Sequence, residues 1–350
     1  MRKEVKVAIW GFGAMGSGMA RMLLDKPGFD LVGVCDNYPA IIGKSVFTLL
    51  GCQNPYPHDC LVEPEIVPIL DRNRPDVVLL ATDSFTKTAF PKIKLLLEHQ
   101  VDVISTAEEM AYPQAANPEL AREIDRLAKK HGQTVLGTGV NPGMMMDLLA
   151  IALSGVMTRV KGFEIARINS LSPFGKTVME EQGVGLDPMD FDRKCQAGEI
   201  AGHVGFKEST MMIADAIGLD VMEFNQTMAP IITDIDRKSP HGFAKAGDVC
   251  GVDMRAKAVL AEGMSIAMHH PQQIEPQLGG VATGDYIKIK GTPEINMAIT
   301  PEVEGGLGTI AICVNMIPHV INARPGLKTM IDLPVPRAIV GDVRKMLETE

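Results

Sequence analysis

The passage VAIWGFGAMGSGMARMLL, residues 7–24, constrains this chain more than any other. Residues 7–10 form an apolar run of strand type. The chain then turns through Gly11, Gly13 and Gly16 and continues as a helix with Met15, Met19, Met22 and Leu23 at apolar spacing. G-x-G-x-x-G between a strand and a helix is the context that a dinucleotide fingerprint requires. Gly11 makes the tight turn, Gly13 lets backbone approach a pyrophosphate, and Gly16 lets the helix pack on the strand. Phe12, Ala14 and Met15 complete the cradle, whose N–H groups lie at a positive helix end. A second strand over residues 31–35 ends at Asp36, 20 residues after Gly16, with Asn37 beside it. An acid there accepts hydrogen bonds from a ribose 2′-OH, so the cofactor predicted is NAD or NADP.

The first part of the chain alternates strands and helices. Helical stretches fall at 41–50, 85–99 and 118–131, and apolar strands at 76–81, 101–106 and 133–136, with a loop at 53–59. Apolar strands separated by helices predict a parallel sheet covered on both faces, an α/β Rossmann doubly wound domain. Residues 1–141 are assigned to it, with a return of the C-terminal segment 308–350 through a helix at 308–320. From 142 to 307 the character changes. A helix is predicted over 144–156 and a strand over 162–169, followed by helices at 190–198 and 205–217. Strands are read at 221–229, around 254–256, at 286–290 and at 296–300. Long strands with few helices predict a second α+β open-sheet domain for substrate binding, catalysis and oligomerisation. FEIARI and IIT read as apolar on more than one face. Such a sheet packs on a copy of itself, so a homodimer or larger assembly is expected.

Parallel strands present their C-terminal ends along one edge, where ligands bind. The nicotinamide end is expected near Thr82, Asp83, Thr106, Glu108, Glu109 and Asn141. Hydride chemistry needs a partner for the proton, and the strand ends hold no histidine or lysine. Glu108 and Glu109 are therefore the catalytic candidates, with Glu109 preferred as the one facing the cleft. A carboxylate also suits a cationic substrate. In the second domain Arg167 could clamp a carboxylate, with Asn169, His203 and Met145 as further substrate contacts. His269–His270 before Pro271 reads as a loop pair without metal.

Composition narrows the classes. The net charge of −9 argues against nucleic acid. No apolar run is long enough for a membrane span, and the first strand begins too early for a signal peptide. Six scattered cysteines read as reduced thiols in a cytoplasm. Cys52, His58 and Cys60 lack a fourth ligand, so no metal is expected.

VAIWGFGAMGSGMA, DVISTAEEMAYP and GTGVNPGMMMDLL together resemble the 2,4-diaminopentanoate dehydrogenase family, with native amine dehydrogenases as relatives. SPHGFAKAGDVCGV extends the likeness into the second half. The resemblance implies a fold similar to dihydrodipicolinate reductase. It also implies NAD(P)-dependent oxidative deamination of a small diamino acid in ornithine degradation, with an acid of the TAEE segment handling the amine. It does not choose between Glu108 and Glu109. The alternatives are a reductase of the dihydrodipicolinate or homoserine dehydrogenase type and a nicotinamide sensor without turnover.

Overall fold

Short apolar strands alternate with helices from the start of the chain, and the computed structural model, which describes residues 3–348, shows what they build. In order they are β1 (Val5–Trp10), α1 (Ala14–Leu24), β2 (Phe29–Cys35), α2 (Val46–Leu50), β3 (Val62–Glu63), α3 (Val67–Asn73), β4 (Val77–Leu80), α4 (Thr86–Glu98), β5 (Asp102–Ser105), α5 (Pro118–His131) and β6 (Thr134–Gly137). All four residues of β4 and of β6 are buried, as a sheet covered on both faces demands. α5 shows the complementary pattern: Ala121, Ile124, Leu127 and Ala128 are buried, and left-handed Gly132 ends the helix.

The second unit runs from Met145 to Gly305. It contains α6 (Leu148–Ser154), β7 (Arg159–Ser170), α7 (Lys176–Glu181), α8 (Pro188–Gln196), α9 (Phe206–Ala216), β8 (Val221–Ile232), β9 (Arg237–Lys238), β10 (Phe243–Ala244), β11 (Val249–Leu260), β12 (Ser265–Gln273), β13 (Gly284–Thr292) and β14 (Ile295–Ile299). The chain then rejoins the first unit through α10 (Gly305–Ile321) and β15 (Gly326–Lys328). There the Val140 N–H donates to Thr309 Oγ1 on α10 at 3.1 Å.

In the first unit the sheet order is β15-β6-β5-β4-β1-β2-β3, with every pair parallel. This is the doubly wound arrangement expected from the sequence. The unassigned stretch around 60–75 supplies β3 and α3, and the C-terminal tail supplies β15. The helix expected over 144–156 is confined to α6.

The second unit's six-stranded sheet has the order β14-β13-β7-β12-β11-β8 and is antiparallel except where β12 meets β7. One face is apolar. Phe163, Ile165, Ile266 and Met268 pack there with Phe191, Phe206 and Ile213 from the helices. The opposite face mixes Glu164, Arg255, Lys257 and His269 with Ala166, Ala267, Tyr286 and Ala298 around a largely apolar concavity. Side chains alternate along a strand, so Phe163 and Ile165 go inward while Glu164 and Ala166 go outward. His269 and His270 are not a loop pair but part of β12. The β12–β7 pairing lapses at His270 and Pro271 and resumes at Gln272, where a residue without an N–H interrupts the ladder. No helix among the described residues is long and apolar enough to cross a membrane.

Candidate active site

At the carboxyl edge of the first sheet, β1 runs into the glycine turn. Gly11 has φ +99°, and a Cβ there would stand 2.5 Å from the Ala81 carbonyl oxygen. A Cβ on Gly16 would stand 1.8 Å from the Gly11 carbonyl oxygen. Gly13 is different: nothing lies within 4 Å of where its Cβ would be. It is the N-cap of α1, and no side chain caps that end. The turn therefore presents open space and the uncapped N-terminus of an 11-residue helix, an arrangement that fits a dinucleotide pyrophosphate. Asp36 follows β2. Its Oδ2 accepts from the Phe12 N–H at 2.6 Å, and its Oδ1 accepts from the Tyr38 N–H at 2.7 Å. The acid thus ties the glycine turn to the end of β2, where a ribose would lie. Asn37 beside it is exposed.

β4 leads through Ala81 into Thr82 and Asp83, and here a lysine arrives that strand-end reading misses. Lys92 reaches back from α4 to Asp83 Oδ2 at 2.8 Å and to Thr82 Oγ1 at 2.9 Å. β5 is followed by Thr106, whose N–H donates to the Leu80 carbonyl at 3.0 Å. Glu108 and Glu109 then open a 3₁₀ turn, Glu108–Ala111. The structure separates the two acids. Glu109 Oε2 accepts from the Thr86 N–H at 2.8 Å and from Asn117 Nδ2 at 2.9 Å. Thr86 is the first residue of α4, so Glu109 caps that helix, the geometry that best satisfies a helix start. Glu109, expected to face the cleft, thus has its Oε2 engaged at the start of α4 and on Asn117. With three residues per 3₁₀ turn, adjacent side chains diverge by about 120°, so Glu108 takes a different direction. Asn141 follows β6, four residues beyond its last strand residue.

In the second unit, position-by-position pairing of β7 with β12 sets Asn169 opposite Gln272, and alternation puts Arg167 and His270 on the same helix-covered face. Arg167 is 2% exposed and is spent on Asp285 and the Val303 carbonyl. It is a matched buried cation, not the unengaged carboxylate clamp expected from the sequence. His270 Nδ1 lies 2.7 Å from the Arg167 carbonyl oxygen. A carbonyl only accepts, so Nδ1 carries the proton and Nε2 keeps its lone pair. The His203 and His270 rings meet edge to face at 4.7 Å, with Phe206 against His203. Burial, with Arg167 adding to it, pushes His203 down to about 3. Burial chiefly, then His203 and Arg167, holds His270 well below the usual histidine range. Both rings are neutral at pH 7. Asn169 Oδ1 and Gln272 Nε2 are buried without a hydrogen-bond partner. Met145, just before α6, is buried. His270 and Gln272 were missed because a His-His-Pro sequence reads as a loop; alternation through Ile266 and Met268 was the available signal.

The 2,4-diaminopentanoate dehydrogenase C-terminal domain model matches residues 144–349. The chain is similar to the 2,4-diaminopentanoate dehydrogenase of Acetoanaerobium sticklandii, with 54% identity over 349 residues, 99% of this chain and 98% of that protein. An amine dehydrogenase of Streptomyces virginiae is 24% identical, covering 96% of this chain and 98% of its own length. The solved amine dehydrogenase of Mycobacterium smegmatis superposes with a TM-score of 0.86 at 27% identity, over 96% of this chain and 98% of that one.

Proposed function

The chain belongs to the 2,4-diaminopentanoate dehydrogenase family, an oxidoreductase family acting on an amine, and from that membership we propose the following reaction. The substrate is 2,4-diaminopentanoate, and the products are 2-amino-4-oxopentanoate and ammonia, a step of ornithine degradation. A bound nicotinamide dinucleotide supplies the two-electron acceptor for the hydride that leaves C4.

Glu108 is assigned as the acid–base group. The observation that carries this is the commitment of its neighbour: Glu109 is spent on the start of α4 and on Asn117. Glu108 takes the proton of the C4 ammonium, so that the nitrogen lone pair is available when the C–H bond breaks. Once that proton has passed to solvent, the restored negative charge faces the iminium left at C4. The same carboxylate accepts a proton from the water that adds to C4 and passes it to the nitrogen of the resulting carbinolamine, so that ammonia departs as the C4 carbonyl forms. Asn169 and His203 of the second unit are proposed as substrate-binding residues, with Gln272 and His270 beside them on the same buried face. Neutral imidazoles, Asn169 Oδ1 and Gln272 Nε2 offer donors and acceptors without a free charge.

Asp36 is proposed to favour NAD: an acid at the end of β2 accepts from a ribose 2′-OH and repels a 2′-phosphate, and no arginine follows it closely. The open face of the second sheet is proposed to pair with a second copy. Glu164, Arg255, Lys257 and His269 lie there among Ala166, Ala267, Thr227 and Ala298 around a concavity of about 670 Å³, and mixed charges on one face suit a two-fold contact.

The test is product formation by the purified protein. Incubation with 2,4-diaminopentanoate and NAD is expected to release ammonia and reduced cofactor in equal amounts. Reduction without ammonia would exclude deamination, and no reduction at all would leave the substrate class wrong.

A further inference from the structure

A lysine that no strand-end motif contains sits beside the glycine turn. Lys92 lies nearly two turns into α4 and points back over the start of its own helix. Its ammonium donates to both oxygens of Asp83, at 2.9 and 2.8 Å, and to Thr82 Oγ1 at 2.9 Å. Three donors thus meet three acceptors. Thr82 Oγ1 in turn donates to Asp83. The Asp83 side chain is only 7% exposed and that of Lys92 29%, so water does little to screen either charge.

The position gives the cluster its meaning. β4 is the direct neighbour of β1, with Leu80 opposite Trp10. The residues that follow each strand are therefore adjacent as well. A Cβ on Gly11 would stand 2.8 Å from the Thr82 methyl carbon. Thr82 is in effect the wall against which the glycine turn rests. A dinucleotide brings a doubly charged pyrophosphate to that turn. An enclosed Asp83 carboxylate beside it would oppose the ligand if nothing balanced it.

We propose that Lys92 is a positioning residue of the dinucleotide site, neutralising Asp83 and fixing Thr82 against the glycine turn. The proposal rests on the reading of this edge as the nicotinamide-cofactor site. It reassigns Asp83 from a cofactor contact to one half of an ion pair. Lys92 acts through Asp83 and Thr82, so cofactor affinity responds to it more than turnover does.

The sole tryptophan, Trp10, ends β1 directly before Gly11 and serves as the optical reporter. Its emission is followed as NADH is added to the wild type and to Lys92→Met, Lys92→Arg, Asp83→Asn and the double variant. Lys92→Met is expected to raise the NADH dissociation constant about tenfold, because it leaves an enclosed carboxylate unpaired. Lys92→Arg keeps the charge and stays within about threefold. The decisive arm is the double variant: with Asp83 also neutral, affinity returns to within about threefold of wild type. A merely structural lysine would not be rescued by removing a second polar group. The idea is overturned if Lys92→Met binds as wild type does, or if the double variant binds as weakly as Lys92→Met. Should Lys92→Met fail to fold, the double variant alone decides by the same threshold. Wild-type protein that binds no NADH would overturn the cofactor reading itself, and the Lys92 role with it.

Discussion

Two adjacent glutamates illustrate what one residue can and cannot reveal. Their place after β5 is legible, because a strand of a parallel sheet, here with Val103 and Ile104 at its centre, runs into a turn at the ligand edge. Their division of labour is not. It depends on Thr86 and Asn117, 23 and 8 residues away, which converge only when α4 and α5 are in place. Asp36 was readable from spacing alone, and its bond to the Phe12 N–H adds a second role. Asp36→Ala should therefore weaken NAD binding and raise the relative efficiency with NADP, measured as the ratio of kcat/KM for the two cofactors. An unchanged ratio would place the ribose elsewhere. Asp102 carries a pH prediction. Burial pushes its carboxyl up to about 7; the Thr134 N–H opposes the shift, and Asp76 adds to it. The folded chain holds this proton more tightly than the unfolded one. The contribution is full below the ordinary value near 4 and is lost as pH rises through about 7. Between about pH 4 and pH 7 the wild type should lose about 3 °C more in Tm than Asp102→Asn, followed by thermal melts. Equal slopes would contradict the assignment.

Among the elements, the strongly periodic ones were legible and the short ones were not. α5 announces itself by Ile124 and Leu127 on one face. β3 and β15, of two and three residues, carry too little pattern to show against loop sequence. β12 was hidden by His269–His270–Pro271, since proline argues against a central strand, and the pairing does lapse there. The glycine turn allows a sharper test, because its glycines have separable roles. Gly13 has φ −73° and open space around its missing Cβ, so Gly13→Ala should keep its Tm within about 1 °C. The added methyl group then occupies the space proposed for pyrophosphate, and NADH affinity should fall tenfold or more. Gly16→Ala, driven into the Gly11 carbonyl, should lose stability as well. If Gly13→Ala binds cofactor normally, the ligand does not use this turn.

For the molecule as a whole, the doubly wound sheet and the mixed second sheet followed from the order of strands and helices. The mixed character of the second sheet's open face was less legible, because it is set by which residues of neighbouring strands share that face, Glu164 and Ala166 with Ala267 and His269. That face, with Ala267 near its middle, is proposed to meet a second copy. Light scattering should give twice the chain mass of 37.8 kDa, and Ala267→Arg should shift it toward one. A wild-type monomer would contradict the pairing. Turnover depends on the complete protein and on the acid assigned to it. Steady-state deamination of 2,4-diaminopentanoate by Glu108→Gln and Glu109→Gln, each with a thermal melt, therefore decides the mechanism. The account predicts that Glu108→Gln lowers kcat by about 10²–10⁴ with Tm and NADH affinity near wild type. Glu109→Gln, which retains an oxygen for the Thr86 N–H, should stay within about fivefold in kcat and give up a few degrees of Tm. The reverse pattern, with Glu109→Gln inactive and Glu108→Gln turning over normally, would contradict it.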